Sequence, residues 1–298
     1  MKKALGLVLI ASLFANENRP GLSTWFSASE LSHAGGGKLL IMPTSRNVNM
    51  ITSIKNQSFS TSFIFYPAGI QAQSVSLIYP KNNKIIIRSI NHISYGAFNG
   101  YDENAQQTEN YTASDTWIKL GYSKASKSLP LSFGISNQIY ISKLEDHNST
   151  SLYSSFGIIW HLDKYNLDIG GRIKDLLLIN KSTDIGASDN SLEVEMGFCK
   201  KLTYLPLKLS IDCIISNDLR PEDYFISGVF TISKNIYLTI GTSTRKYSQN
   251  TEQNLTRTIF GSSGIGVKYK NKDLTIGYGL YFYGTGGFSN GLDLTINF

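Results

Sequence analysis

The stretch from Lys272 to Phe298 constrains the fold more than any other part of the chain. Leu274, Ile276, Tyr278, Leu280 and Phe282 alternate with Thr275, Gly277, Gly279, Tyr281 and Tyr283. After a break at Gly284 to Gly287, Phe288, Asn290, Leu292, Leu294, Ile296 and Phe298 alternate with Ser289, Gly291, Asp293, Thr295 and Asn297. A period of two sends successive side chains to opposite faces of a strand, so each segment has one apolar and one polar face. Each run is about ten residues long, the length of a tilted strand crossing a bilayer core. A soluble sheet shows the same alternation, so the environment has to be decided by the rest of the chain.

The connections decide it. Fourteen strand-like segments are read at about 58–65, 70–79, 84–95, 113–124, 131–142, 150–161, 165–176, 191–201, 206–215, 224–232, 236–245, 260–269, 273–283 and 288–298. Short turns fall near Pro80 to Asn83, Ala125 to Pro130, Asp163-Lys164, Lys201 to Pro206, Ser233 to Asn235 and Lys270 to Lys272. Between them lie longer links, at Gly96 to Thr112, Lys143 to Ser149, Leu177 to Asn190, Ser216 to Asp223 and Lys246 to Ile259; only the first and last hairpins are short on that side. Outer-membrane barrels have short periplasmic turns, longer outer loops and an even strand count. A β-sandwich gives no reason for this parity. The expected fold is all-β: a transmembrane antiparallel β-barrel of about 14 strands with an N-terminal plug or periplasmic segment.

Composition agrees. Charged residues are 17% of the chain, and it carries 17 Tyr and 15 Phe. That mix suits strands with interfacial aromatics and argues against disorder. No stretch after the N-terminal run approaches 18 consecutive apolar residues, which excludes a helical membrane protein. The net charge of +6 comes with no Lys/Arg cluster, so no nucleic-acid partner is expected. Residues 1–15, a basic start followed by a short apolar run, read as a secretory signal. Residues 16–57, where alternation is poor and Gly35-Gly36-Gly37 interrupts it, read as the plug or periplasmic segment, and 58–298 as the barrel. The expected location is the outer membrane of a Gram-negative bacterium after Sec-type export.

The two faces are assigned from parity. Phe133, Ile135, Ile139 and Ile141, and Leu207, Leu209, Ile211, Cys213 and Ile215, are expected to face lipid. The lumen is expected to hold Lys119, Asp168, Arg172, Lys174, Glu193, Glu195, Lys208, Asp212, Lys268 and Asp293, because one such Lys or Arg at the lipid midplane costs roughly 2–4 kcal/mol. Mixed signs predict ion pairs and water in place of a single-charge filter. Cys199 and Cys213 fall on opposite faces, so two free thiols are expected.

No catalytic constellation is legible. The four histidines lack metal-ligand spacing, there is no Gly-x-Ser-x-Gly elbow, and no Ser/His/carboxylate set is seen to converge. An enzyme, a cofactor and a metal are therefore not expected. Ser94-Tyr95-Gly96-Ala97-Phe98, Asp102-Glu103, Tyr111-Thr112-Ala113-Ser114-Asp115 and Leu120-Gly121-Tyr122-Ser123-Lys124 resemble the middle of PorV/PorQ family proteins. Leu131-Ser132-Phe133-Gly134 and Leu167-Asp168-Ile169-Gly170 continue the pattern, with PorQ the closer relative; the family's Asn-Pro-Ala is represented only by Met42-Pro43-Thr44. The resemblance implies a FadL-like fourteen-strand barrel and marks Tyr95, Gly96, Phe98, Asp102, Glu103, Tyr111, Ala113 and Asp115 as a family-motif loop. It also implies a non-enzymatic accessory of type IX protein secretion or surface attachment, with secretion-machinery proteins or exported cargo as partners besides outer-membrane lipid. The alternative function is a FadL-like transporter of hydrophobic small molecules, with residues 22–56 as a hatch.

Overall fold

A computed structural model describes residues 24–40, 54, 56–101, 104–144, 147–182, 193–215, 221–249, 255–284 and 287–298. The strands are β1 (Ser58–Phe65), β2 (Gln71–Lys81), β3 (Lys84–Phe98), β4 (Tyr111–Ala125), β5 (Leu131–Leu144), β6 (His147–Leu162) and β7 (Leu167–Ser182). They continue as β8 (Glu193–Lys201), β9 (Leu207–Ile215), β10 (Pro221–Thr231), β11 (Ile236–Ser243), β12 (Ser263–Asn271), β13 (Leu274–Phe282) and β14 (Phe288–Asn297). Every strand pairs antiparallel with its sequence neighbours, and β1 pairs with β14 from Ser58↔Asn297 to Phe65↔Asn290, which closes the barrel. Closure leaves no unpaired edge, the condition for strands in hydrocarbon. Among the described residues no helix is long and apolar enough to cross a membrane; the strands cross it.

The exterior is the greasy face. Phe133, Ile135, Ile139 and Ile141 are 36–48% exposed on β5. On β9, Leu207, Leu209, Ile211, Cys213 and Ile215 are partly exposed while Ser210, Asp212 and Ile214 are buried. Exposed aromatics form two belts, as expected of side chains at membrane–water interfaces. Tyr79, Phe133, Trp160, Phe230, Tyr269 and Phe298 stand on the short-turn side, and Phe65, Phe98, Tyr224, Phe282 and Phe288 on the long-loop side. Several outward positions break the rule, among them Arg88, register partner of Leu77 and Leu120, and Asn137 on β5. Gln73 and His92 also face outward, opposite one another on β2 and β3, and His92 Nδ1 lies 2.9 Å from Thr116 Oγ1.

Three sequence expectations are corrected. The link read at Lys143 to Ser149 is mostly strand, since β5 runs to Leu144 and β6 starts at His147, and β7 runs on to Ser182. Continued pairing satisfies backbone groups in these hairpins as well as a loop in water would. The lumen is also not uniformly wet. Ile78, Ile85 and Ile87 point inward near the short turns with Ile54 packed on them. A larger cluster, containing Trp25, Phe26, Leu31, Ile64, Trp117, Tyr140, Tyr153 and Tyr281, fills the long-loop half. The two cysteines are free, as expected: Cys199 is buried in the lumen, whereas Cys213 is the register partner of outward-facing Met196.

Candidate functional site

The site is the lumen itself, occupied by residues 24–40 of the N-terminal segment. A five-residue helix, α1 (Ala28–Ser32), starts at Ser27, whose Oγ accepts from Glu30 N at 3.1 Å, while Glu30 Oε2 accepts from Phe26 N at 2.7 Å. This is a near relative of the capping box and is readable in Ser27-x-x-Glu30. The turn after α1 uses Gly35 (φ +79°) and Gly37 (φ +67°), where any Cβ would press to 2.8 Å on Trp25 and His33. Gly35 to Gly37 is thus a tight, fully packed turn.

Four barrel features hold α1 in place. Asp293 on β14 accepts from Ala28 N (2.7 Å) and Ser29 N (2.9 Å) through its two oxygens. Asp212 on β9 accepts from Gly37 N at 2.8 Å and from Ser210 Oγ at 3.0 Å. Glu195 on β8 pairs with Lys38 (3.1 Å) and Arg172. The fourth feature is absence of side chains: a Cβ on Gly279 would lie 2.1 Å from Ala28 O, on Gly264 2.0 Å from Leu31 O, and on Gly241 2.3 Å from His33 O. Gly241 pairs with Gly264, and Gly266 with Gly279, so β11 to β13 present bare backbone to the helix. Close approach of two backbones is what glycine permits. His33 is fully buried, with Nδ1 2.6 Å from Ser29 O and Nε2 without a hydrogen-bond partner among the described residues. Burial is the main cause holding its pKa down at about 4, so the ring is neutral near pH 7.

Above α1 the rings interlock across the barrel. Trp25 packs edge-on to Tyr281 (4.4 Å between centroids), Tyr281 to Tyr283 (4.7 Å), and Phe26 to Trp117 (4.9 Å), which meets Tyr140 at 5.1 Å. Tyr66 OH donates to Trp25 O (2.7 Å) and accepts from Trp25 N (3.0 Å). These geometries are the offset and edge-to-face contacts that aromatic pairs prefer.

Most of the charged residues chosen by parity do face the lumen. Lys119, Arg172, Lys174, Glu195 and Asp212 are inward and buried. Glu193 pairs with Lys174 at 2.6 Å, Asp168 contacts His161 at 2.7 Å, and Asp293 caps α1. Lys268 is inward, its Cε 3.9 Å from a Cβ built on Gly277. Lys208, near the short-turn end of β9, is exposed. Parity missed Lys38, which lies outside any strand, and Asp175. Counting from Lys174 would put Asp175 on lipid, but β7 bulges there, with Asp175 at φ 55° and register shifts against β6. The bulge re-aims Asp175 into the lumen, where it accepts from Gln138 Nε2 at 2.7 Å and its N–H donates to Ser155 Oγ at 3.0 Å. Beside these groups, Phe26, Asn91, Trp117, Lys119, Arg172 and Lys174 line a narrow cavity with room for about one water. Among the described residues no group of three or more metal-ligating side chains converges.

The motif residues form one hairpin end on the long-loop side. Tyr95 OH donates to Asp115 Oδ2 at 2.7 Å, and Phe98 stacks on Tyr111 at 5.4 Å. Gly96 (φ +97°) pairs with Ala113 just past a register shift that comes after Ser94. Asp102 and Glu103 lie outside the described residues, as do residues 1–15 and Met42-Pro43-Thr44.

No protein-family model matches the sequence, and neither does any curated protein. Solved structures do match in fold. The toluene transporter TodX of P. putida aligns over 92% of this chain and 98% of its own, with a TM-score of 0.59 at 10% identity. The toluene transporter TbuX of Ralstonia pickettii aligns over 91% and 97%, with 0.53 at 9%. A Pseudomonas aeruginosa FadL homologue aligns over 91% and 97%, with 0.50 at 9%. At such identities the likeness is one of fold: the chain is a closed fourteen-strand antiparallel barrel similar in fold to these outer-membrane proteins.

Proposed function

We propose that this protein is an outer-membrane channel for hydrophobic small molecules, gated by its own N-terminal segment. The observation that carries the reading is the aromatic wall of the long-loop half of the lumen, occupied by Trp25 and Phe26 from residues 24–40. Such a surface favours apolar solutes over ions, and the plug that fills it is held by hydrogen bonds to Asp293 and Asp212, the Lys38–Glu195 ion pair and close backbone contacts at Gly241, Gly264 and Gly279. Withdrawal of the plug would leave rings above and paired charges below. The toluene transporters that share the fold support the same class of cargo. The test is uptake of radiolabelled toluene by porin-deficient cells expressing the full chain. Uptake above vector-only cells is expected, and uptake equal to them rejects the channel.

The secretion-accessory role implied by the 90–175 resemblance takes second place. The filled lumen favours it, since an accessory barrel needs no open path. Deleting the gene should then leave cargo in the periplasm, and normal surface display in the deletant rejects it.

A further inference from the structure

Three inward-facing side chains near the short-turn mouth converge although nothing in their spacing announces it. Ser132 Oγ lies 3.0 Å from His161 Nε2, and His161 Nδ1 lies 2.7 Å from Asp168 Oδ1. The two contacts use different ring nitrogens. Asp168 accepts from Nδ1–H, which fixes the proton there and leaves the Nε2 lone pair facing the serine hydroxyl. That is the order of contacts by which a nucleophile, a base and an orienting carboxylate are recognised on unrelated folds.

Rigid strands hold the set. His161 and Asp168 are register partners across β6 and β7, and Ser132 pairs with Ile159, two residues before His161 on the same face. His161 N donates to Pro130 O at 2.8 Å, which pins the strand end beside the turn. The three residues thus form one cross-strand diagonal, more exactly positioned than a loop would allow. The side chains of His161 and Asp168 are 28% and 41% exposed, so the relay opens to water at the mouth, while Ser132 is 1% exposed beneath the ring. A carbonyl must reach the serine past the imidazole edge, which restricts the site to slim acyl groups.

We propose that Ser132, His161 and Asp168 form an acyl-transfer site that hydrolyses small carboxylic esters entering from the short-turn mouth. Ser132 Oγ attacks the carbonyl carbon and its proton passes to His161 Nε2. The bond to the alcohol oxygen breaks, the same proton goes to the departing alkoxide, and the acyl group stays on Ser132. Water then attacks the acyl carbon, gives a proton to Nε2 and releases the carboxylic acid as that proton returns to Ser132. Asp168 is a positioning residue that keeps the proton on Nδ1. Its exposure lets water screen its attraction for the imidazolium, so turnover is slow, and covalent trapping is the more sensitive readout.

This inference is independent of the transport reading. The full-length protein in detergent is treated with a fluorophosphonate probe and, separately, with p-nitrophenyl acetate. The expected result is an adduct mapped to Ser132 by mass spectrometry, lost in S132A and slowed about 100-fold or more in H161Q, the usual worth of a positioned base. D168N should slow it less, with toluene uptake by S132A unchanged. Each variant is checked for heat-modifiable electrophoretic mobility, which reports a folded barrel. If S132A fails to fold, S132C is alkylated with iodoacetamide, and site-mapped alkylation should be faster than in S132C/H161Q. A folded wild type that takes no probe at Ser132, or labelling unaltered by H161Q, overturns the proposal and leaves a hydrogen-bond relay only.

Discussion

Replacing Gly279 with alanine tests whether bare backbone on the barrel wall holds the plug. The added Cβ would stand 2.1 Å from Ala28 O and 2.8 Å from Ala28 C. Neither backbone atom can rotate away, and contacts under 3.0 Å are essentially never seen for a real Cβ. The helix must therefore retreat by at least the difference between 3.0 and 2.1 Å, about 0.9 Å. A shift of that size along the Ala28 N to Asp293 direction takes that bond from 2.7 Å to about 3.6 Å, beyond hydrogen-bonding distance. Ser29 N, at 2.9 Å from the other carboxylate oxygen, moves with it. Hydrogen bonds to charged groups contribute about 1.5–3 kcal/mol each, so the docked state loses about 3–6 kcal/mol, while the barrel hydrogen bonds are untouched. The assay is single-channel conductance in a planar bilayer, read beside trypsin cleavage at Lys38. G279A should raise the open fraction at least a hundredfold and expose Lys38. G277A is the control on the same strand and face, because its nearest contact would be an ordinary 3.5 Å to Asp293 Cβ. A G279A channel that stays closed and trypsin-resistant, or that matches G277A, refutes the reasoning.

The same geometry gives four further expected outcomes. His33 has a docked pKa of about 4 against 6.5 when free, so the undocked plug binds the proton first. Docking through His33 is complete above about pH 6.5 and weakens towards pH 4 by about 1.4 kcal/mol per pH unit, so the open fraction should rise up to tenfold per unit in wild type and lose that His33-dependent slope in H33Q. Glu195→Gln removes the carboxylate charge that buried Arg172 and the Lys38 ammonium share, which should cost about 3–5 kcal/mol, read as a lower urea midpoint. Gln73→Leu removes an outward-facing polar group from the lipid wall and should stabilise the barrel by about 1 kcal/mol, read as a higher urea midpoint. Because Cys199 and Cys213 stand on opposite faces, mobility on unheated gels should be the same with and without reductant, while heating shifts it.

Much of this architecture can be read directly along the chain. Alternation from Leu274 to Phe298 gives two faces per strand, and the parity of turn lengths gives an even, closed ladder, because hydrogen-bond closure in lipid admits no other sheet. Glu195, Arg172 and Asp212 could be placed indoors by the cost of a charge in hydrocarbon alone. The Ser27-x-x-Glu30 cap and the glycines at 35 to 37 likewise mark a short helix and a turn, local events settled by local residues. Period two cannot supply register. It names the face of Ser132, His161 and Asp168 but not that a stagger between neighbouring strands lays them on one diagonal. A bulge at Asp175 reverses the parity of the residues just after it until a second register shift near Leu178 restores it, and nothing in Lys174-Asp175-Leu176 shows it. The bare backbone at Gly241, Gly264 and Gly279 has meaning only once a helix from the other end of the chain lies against it. Those contacts span most of the sequence, and they were decided by barrel closure, which brings residue 28 to residue 293.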